Sequence, residues 1–566
     1  MTFAFEKQVP SYMNDSLLSD PFLQLPTQTT VNVVWFTEFA GDRHLVKYGT
    51  RFEQQAVANT AKLSRVREDP DSQLDNPPTQ STSRNIWRHE ATIKGLTPNQ
   101  RLPYKVISRS GQKNISSKAF TLASLPTKEI ALKILLTSDH QLMPMTTANL
   151  EQVVKTVGQV DAVFFAGDLV NVSDRASEWF DDRRGGAFFP ALQGKANYEL
   201  ESNGVKTIYR GGEIIQHAPL FTAIGNHEVM GRFSTEAKLK EVFNNPIPRK
   251  VATESYQSVA TKINPANNAE FKAGWIENNS FNTDTYEEIF SLPQNTNGTK
   301  RYYATTFGDI RLISLYVTNV WRSPSLEADE QGRYKESDLD LENSKAWGYG
   351  QHIFEPIAQG SSQYEWLKQE LASEAYQQAK YKIVMLHHPP HTLGGNIVPA
   401  YTDPQPKLYY AEDDKVIGRY YDYPIENDYI IRDLIPLLES AEVQLVYYGH
   451  SHLWNRFESD SGMHFLESSN VGNSYGAHLG DNKRPIPTYN QHNYAEIGDP
   501  NGLNPIVPSI APITDKLGEP LPYIASNDIT VFSILETQTG TVSSYRYDTR
   551  KPNSSAIKFD EFELIR

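Results

Sequence analysis

The chain has 566 residues with 39% hydrophobic and 22% charged side chains and a mean hydropathy of −0.52, which excludes a lone small module and a disordered chain. Lys plus Arg total 54 against 68 Asp plus Glu, a net charge of −14 that argues against nucleic-acid or anionic-membrane partners. With no cysteine, disulfides, a thiol nucleophile, a Cys-based zinc site and an iron–sulfur cluster are excluded together.

The start, Met1 to Lys7, lacks a basic segment followed by an apolar run, and no stretch of about 18 apolar residues occurs. A cytoplasmic location is the default expectation, or export if the true start lies upstream. Residues 1–24 are polar, contain Pro10 and Pro21, and read as a tail. From 25 to 126, short β-type runs alternate with turn signals, beginning with Val31-Asn32-Val33-Val34-Trp35-Phe36, as in a small β-sandwich.

After Pro126 the pattern changes, and residues 127–566 read as α/β. Lys133–Thr137 and Asp161–Ala166 are continuous apolar strands flanking a helical pattern over Ala148–Val157, a β-α-β unit. Similar strands recur at Leu220–Ile224, Ile310–Tyr316, Ile383–Leu386 and Leu445–Tyr448, with a helix predicted over Gln363–Ala379 and a hairpin about Thr539-Gly540. Three polar stretches, near 235–300, 395–428 and 470–525, read as long loops that wall or cover a site. The middle one carries Tyr401, Tyr409, Tyr410, Tyr420, Tyr421 and Tyr423, either an aromatic lid or a loop packed down by its tyrosines.

Polar clusters stand at the C-terminal ends of these strands: Ser138-Asp139-His140-Gln141, Gly167-Asp168, Gly225-Asn226-His227-Glu228, His387-His388-Pro389-Pro390-His391 and Gly449-His450-Ser451-His452. Ligands bind beyond strand C-termini in open α/β sheets, so clusters distant in sequence can converge on one site. Carboxylate, amide and imidazole donors without thiolate suit Mn, Fe or Zn. Each cluster alone is a common turn or a satisfied histidine pair, and the weight rests on their joint order.

That order resembles the calcineurin-like metallophosphoesterase superfamily, and within it the purple acid phosphatases. Those enzymes place a fibronectin-like β-sandwich before the catalytic domain, and Ile86-Trp87-Arg88-His89 through Gly95-Leu96-Thr97-Pro98 to Tyr104 is similar to it. The resemblance implies an N-terminal all-β sandwich followed by an α/β β-sandwich flanked by helices. It implies two divalent ions (Mn, Fe or Zn), one bound by Asp139, Asp168, His452 and Gln141, the other by Asp168, Asn226, His387 and His450. A metal-bridging hydroxide would attack the phosphorus of a small monoester, with His227 as the acid or transition-state stabiliser. His388, His391 and Arg456 are candidate substrate contacts, Arg456 standing in the place of the Arg in the family's His-x-His block, and a homodimer is compatible with the sandwich.

Two departures stand out. The purple enzymes carry an iron-binding Tyr three positions after the Gly-Asp aspartate, where this chain has Asn171, so no purple colour is expected. The superfamily's Asp-x-His is here Asp139-His140-Gln141, so the Gln141 amide oxygen ligates, His140 swings in, or the first site is weak. The alternatives are a phosphodiesterase or nucleotide hydrolase on the same site, and a non-catalytic adhesion protein with a degenerate site.

Overall fold

The computed structural model describes residues 16–320, 332–395, 400–487 and 490–564. Two antiparallel sheets come first. One has the order Phe22–Gln24, Thr30–Thr37, Trp87–Lys94, Asn59–Lys62; the other runs Lys113–Ser116, Leu102–Ser110, Arg43–Tyr48, Gln54–Val57, with Phe120–Leu122 on the edge of Leu102–Ser110.

The run Val33-Val34-Trp35-Phe36 is apolar on both faces of its strand because both faces are covered. Val31, Val33 and Trp35 point into the sandwich with Val46, Ile93, Tyr104 and Val106. Val34 and Phe36 point out of it, into a core shared with Phe180, Phe189 and Phe290 of the following region. Burying one such side chain contributes about 1.5–3 kcal/mol, so this second face is a permanent interface rather than a tether. The expected tail ends in the same place. Residues 1–15 lie outside the described residues, but Phe22–Gln24 form an edge strand and Phe22 packs 5.1 Å from Phe189.

The larger region packs two mixed sheets face to face. One has the order Leu220–Thr222, Ala162–Phe165, Lys133–Thr137, Ile529–Glu536, Thr541–Asp548, Ile557–Glu563; its first three strands are parallel. In the other, Ile310–Ser314, Tyr381–Met385, Leu445–Tyr448 and His464–Ser468 are parallel neighbours, with Tyr303–Phe307 outside the first, and Trp454–Glu458 then Tyr523–Ile524 outside the last. The helix Thr146–Val157 packs on the first sheet through Leu150 and Val153, as its period predicts.

Some expectations need correction. The helix predicted over Gln363–Ala379 is two, Ser362–Leu371 and Glu374–Gln377, because Ser373 caps the second by accepting from the Tyr376 N–H at 3.2 Å. The stretch 235–300 is largely helical, including Arg249–Ile263 and Ala269–Asn278. Within 395–428, Gln405–Tyr410 and Val416–Asp422 form a hairpin exposing Tyr409 and Tyr410, while Tyr401, Tyr421 and Tyr423 are buried, which favours packing over a lid. Among the described residues no helix is long and apolar enough to cross a membrane.

Candidate metal centre

The parallel strands of both sheets end on one rim, and the loops leaving them carry the polar clusters. Asp139 (φ 56°), Gln141 (42°), Asp168 (58°), His450 (83°) and His452 (55°) all adopt left-handed backbone, a strain of about 1–3 kcal/mol each that concentrates at functional sites. Two glycines allow the loops to close on one another. A Cβ on Gly449 would overlap the Asp139 carboxylate and the Ser138 side chain, and one on Gly225 would overlap the Asp168 carboxylate.

Buried carboxylates hold these loops from behind. Glu228 accepts the N–H groups of Asp168, Leu169 and Gly225 at 2.8, 2.7 and 2.8 Å. Glu467 accepts from Ser451 N–H and the Thr392 hydroxyl, both at 2.7 Å. Burial, and for Glu228 also the Asp168 charge, pushes both carboxyl groups up to about 8. Asp139 accepts the His450 N–H, and Asp168 accepts that of His227 at 2.9 Å.

The result is two overlapping ligand groups. Asp168, His387 and His450 present donor atoms within 4.8 Å of one another, and so do Asp139, Asp168 and His452. Asp168 belongs to both. His387 Nε2 lies 3.2 Å from Asp168 Oδ2, from Asn226 Oδ1 and from His450 Nδ1, and His452 Nε2 is 3.3 Å from Asp139 Oδ1. The facing nitrogens are ready to ligate because the opposite ones are used: His387 Nδ1 donates to Ala166 O and His452 Nδ1 to Asn473 O, both at 2.8 Å. Burial raises the Asp168 carboxyl, but His387 and then His227 outweigh it and hold Asp168 well below the usual carboxylate range. Buried carboxylates converging with neutral-capable imidazoles and an amide oxygen fit divalent Mn, Fe or Zn.

Of the first-motif alternatives, His140 turns away: its ring packs edge-on to Phe165 at 4.4 Å, Nε2 bonds the Thr137 hydroxyl, and burial pulls it down to about 3. Gln141 does reach the centre, where Nε2 donates to Asp168 Oδ2 at 2.7 Å; a half-turn of the amide would present Oε1 in the same place. His227 stands at the open side. Its Nδ1 donates to Asn171 O at 2.7 Å, which leaves Nε2 facing Asp168 Oδ2 at 3.9 Å, and its side chain keeps 22% exposure.

Three expected substrate contacts are not at the open side. His391 pairs with Asp499 at 2.8 Å and packs against Phe465. Arg456 lies on the strand Trp454–Glu458 and is forked onto buried Asp560 at 2.9 and 3.3 Å. His388 is buried between Tyr401 and His450, and burial followed by the His387 charge pulls it down to about 3. It is packed beneath the centre rather than facing substrate. Missing from the sequence reading were Glu467, Asn473 and the supporting role of Asn171, whose N–H donates to Glu178 and whose carbonyl orients His227. Only Glu228 had a visible signal, its place in Gly225-Asn226-His227-Glu228.

Residues 132–453 match the calcineurin-like phosphoesterase family, and residues 19–123 match the N-terminal domain of purple acid phosphatases. The fold is similar to that of the purple acid phosphatase PPD1 from seeds of yellow lupin (Lupinus luteus), with a TM-score of 0.53 and 14% identity over 96% of this chain and 73% of that one. No curated protein matches in sequence. The chain belongs to the calcineurin-like phosphoesterases and is a phosphoesterase with an N-terminal domain of the purple acid phosphatase type.

Proposed function

We propose that the chain hydrolyses phosphate monoesters with two divalent ions, one held by Asp168, Asn226, His387 and His450, the other by Asp139, Asp168 and His452, with Gln141 adjoining. The observation that carries this reading is the pair of ligand groups sharing Asp168. When bound, such an ion pair supplies positive charge to the phosphoryl oxygens and acidifies the attacking water, so no protein nucleophile is required. The residues of the chain orient and protonate. With Nδ1–H donated to Asn171 O, a second proton on His227 sits at Nε2 on the open side; the imidazolium gives that proton to the leaving oxygen as the P–O bond breaks and is left neutral with its Nδ1–H still on Asn171 O. Likeness to an acid phosphatase favours monoesters over diesters.

Hydrolysis of p-nitrophenyl phosphate and of its bis-ester, after loading with Mn, Fe or Zn, tests the reading together with elemental analysis. The expected result is close to two ions per chain, faster turnover of the monoester, and loss of both ions and turnover in Asp168→Asn. A single ion supporting full turnover would overturn the dinuclear reading, and preference for the bis-ester would overturn the monoester assignment.

A further inference from the structure

A cavity of about 540 Å³ opens beside His227. It lies within the usual size of small-ligand sites. One wall is Asp71 and Gln73 of the N-terminal region, and the rest comes from His227, the segment 171–184 with its short helix Ala176–Phe180, and the helix Leu239–Phe243 with Asn244 at its end. The walls are tied together: Arg183 donates from Nε and Nη2 to Gln73 Oε1 at 3.3 and 3.2 Å, and Lys238 pairs with Asp71 at 3.2 Å.

We propose that this cavity is the leaving-group subsite and that it takes a polyhydroxylated alcohol of sugar or nucleoside size. The inference rests on the reading above in one respect, that the phosphoryl group binds at the two ligand groups sharing Asp168; His227, 3.9 Å from Asp168 Oδ2, lines the adjoining cavity, so the alcohol extends past it into this space. The lining selects the class. Arg175, Arg184 and Lys240 face Asp71, Glu178 and Asp182, so cations and carboxylates balance and no net field favours a second phosphate. Most of these charges are spent on each other, Arg175 with Glu178 at 3.0 Å and Arg184 with Asp182 at 2.8 Å. Lys240 has no carboxylate partner among the described residues. Apolar lining is confined to Val172 and Phe243, too little for an acyl chain. The Lys240 ammonium and the Gln73 amide suit hydroxyl groups, while Asn171 Nδ2 is donated to Gln141 O at 2.6 Å; the Phe243 ring, 5.2 Å from that of His227 and 7% exposed, adds a small apolar patch against which a sugar or base can rest.

The test compares kcat/KM for glucose 6-phosphate, adenosine 5′-monophosphate and ethyl phosphate in the metal-loaded wild type, Gln73→Trp, which fills the cavity from the N-terminal wall, and Lys240→Ala, an exposed helix position with little risk to folding. The wild type is expected to favour at least one of the two larger esters over ethyl phosphate by tenfold or more, and both variants to reduce that ratio at least fivefold. No preference in the wild type, or a ratio unchanged in both variants, would overturn the proposal. Saturation-transfer NMR with glucose and adenosine gives a readout that needs no turnover: signals in the wild type that Gln73→Trp abolishes support the subsite, and no signal from either alcohol overturns it. If no ester is hydrolysed, the catalytic reading fails while the NMR still decides the subsite.

Discussion

Asp69, in the N-terminal region, is fully buried and controls both supports of His227. Its carboxylate accepts from Arg175 Nη2 at 3.2 and 3.3 Å; Arg175 Nη1 holds Glu178 Oε1 at 3.0 Å; Glu178 Oε2 accepts the Asn171 N–H at 2.7 Å; and Asn171 O receives His227 Nδ1. The same carboxylate accepts the Leu239 N–H at 2.9 Å at the start of the helix carrying Phe243, which packs on the His227 ring. In Asp69→Asn the NH₂ group replaces either Oδ1, which also accepts the Asp71 N–H and the Ser72 hydroxyl at 3.1 and 3.2 Å, or Oδ2, which also accepts the Leu239 N–H, so in either orientation one backbone donor loses its acceptor and Arg175 loses one of its two contacts and its counter-charge. Breaking a buried pair from one side costs about 3–5 kcal/mol, and a near-isosteric amide that keeps one acceptor belongs at about 3 kcal/mol. A displacement of about 1 Å in a positioned group costs on the order of 10²-fold in rate. That loss should fall on protonation of the leaving group. Ethyl phosphate, whose alkoxide is a poor leaving group, should slow by about 10²-fold, and p-nitrophenyl phosphate, which leaves without a proton, by less than about threefold. Steady-state kinetics at a temperature where circular dichroism shows the variant folded would check this. Equal losses on both esters, or an unchanged rate on ethyl phosphate, would refute the linkage from Asp69 to His227.

Two other perturbations follow from buried groups. In the N-terminal sandwich His89 stacks on His44 at 3.6 Å, and burial, then the His44 and Arg88 charges, push it down to about 3 from 6.5. Unfolding therefore takes up a proton between those values, so stability present above about pH 6.5 is lost as pH falls toward 3, by up to ~1.4 kcal/mol per pH unit; urea midpoints from pH 7 to 4 should show the slope, and His89→Gln should flatten it. Gly449→Ala forces a Cβ into the Asp139 carboxylate and should reduce bound metal to fewer than one ion per chain by elemental analysis; two retained ions would contradict the packing described.

The strand ends and their clusters were legible because buried parallel strands read as continuous apolar runs and each is followed by Gly, Asp or His. The double coverage of Val33-Val34-Trp35-Phe36 was visible as a run without alternation, though which partner covered the second face was not. Residues acting through long-range contacts left no local mark: Asp69 sits 106 positions from Arg175, and Glu467 is one acidic residue at a strand end. Arg456 misled because position within a motif says nothing of strand parity, and at this position the side chain points inward to Asp560. Helices in 235–300 were hidden by Asn and Pro that proved to be caps and boundaries, Asn268 accepting the Phe271 N–H and Pro248 preceding Arg249–Ile263.

The site also carries a charge imbalance that bears on stability. Asp139, Asp168, Glu228 and Glu467 are buried to within 1% of full coverage; Glu228 and Glu467, pushed up to about 8, carry protons at neutral pH, and the groups facing Asp139 and Asp168 are imidazoles, of which burial and the His387 and His388 charges press His450 toward its neutral form. Backbone N–H groups satisfy the outer carboxylates, but they carry no net charge, and the strained loops bearing Asp139, Asp168, His450 and His452 add their own cost. Cations bound between the two ligand groups would offset both terms, so binding and folding of this rim should be linked. At free metal a thousandfold above Kd, linkage predicts about 4 kcal/mol of stabilisation per site. Chelation should therefore lower the unfolding midpoint of the catalytic region by several degrees and leave the signal of the N-terminal sandwich, followed through Trp35, nearly unchanged until the shared Phe36 face opens. Restoring Mn or Zn should recover the midpoint in wild type and leave Asp168→Asn where chelation put it. An unfolding midpoint insensitive to chelator would refute the linkage between metal binding and the folding of this rim.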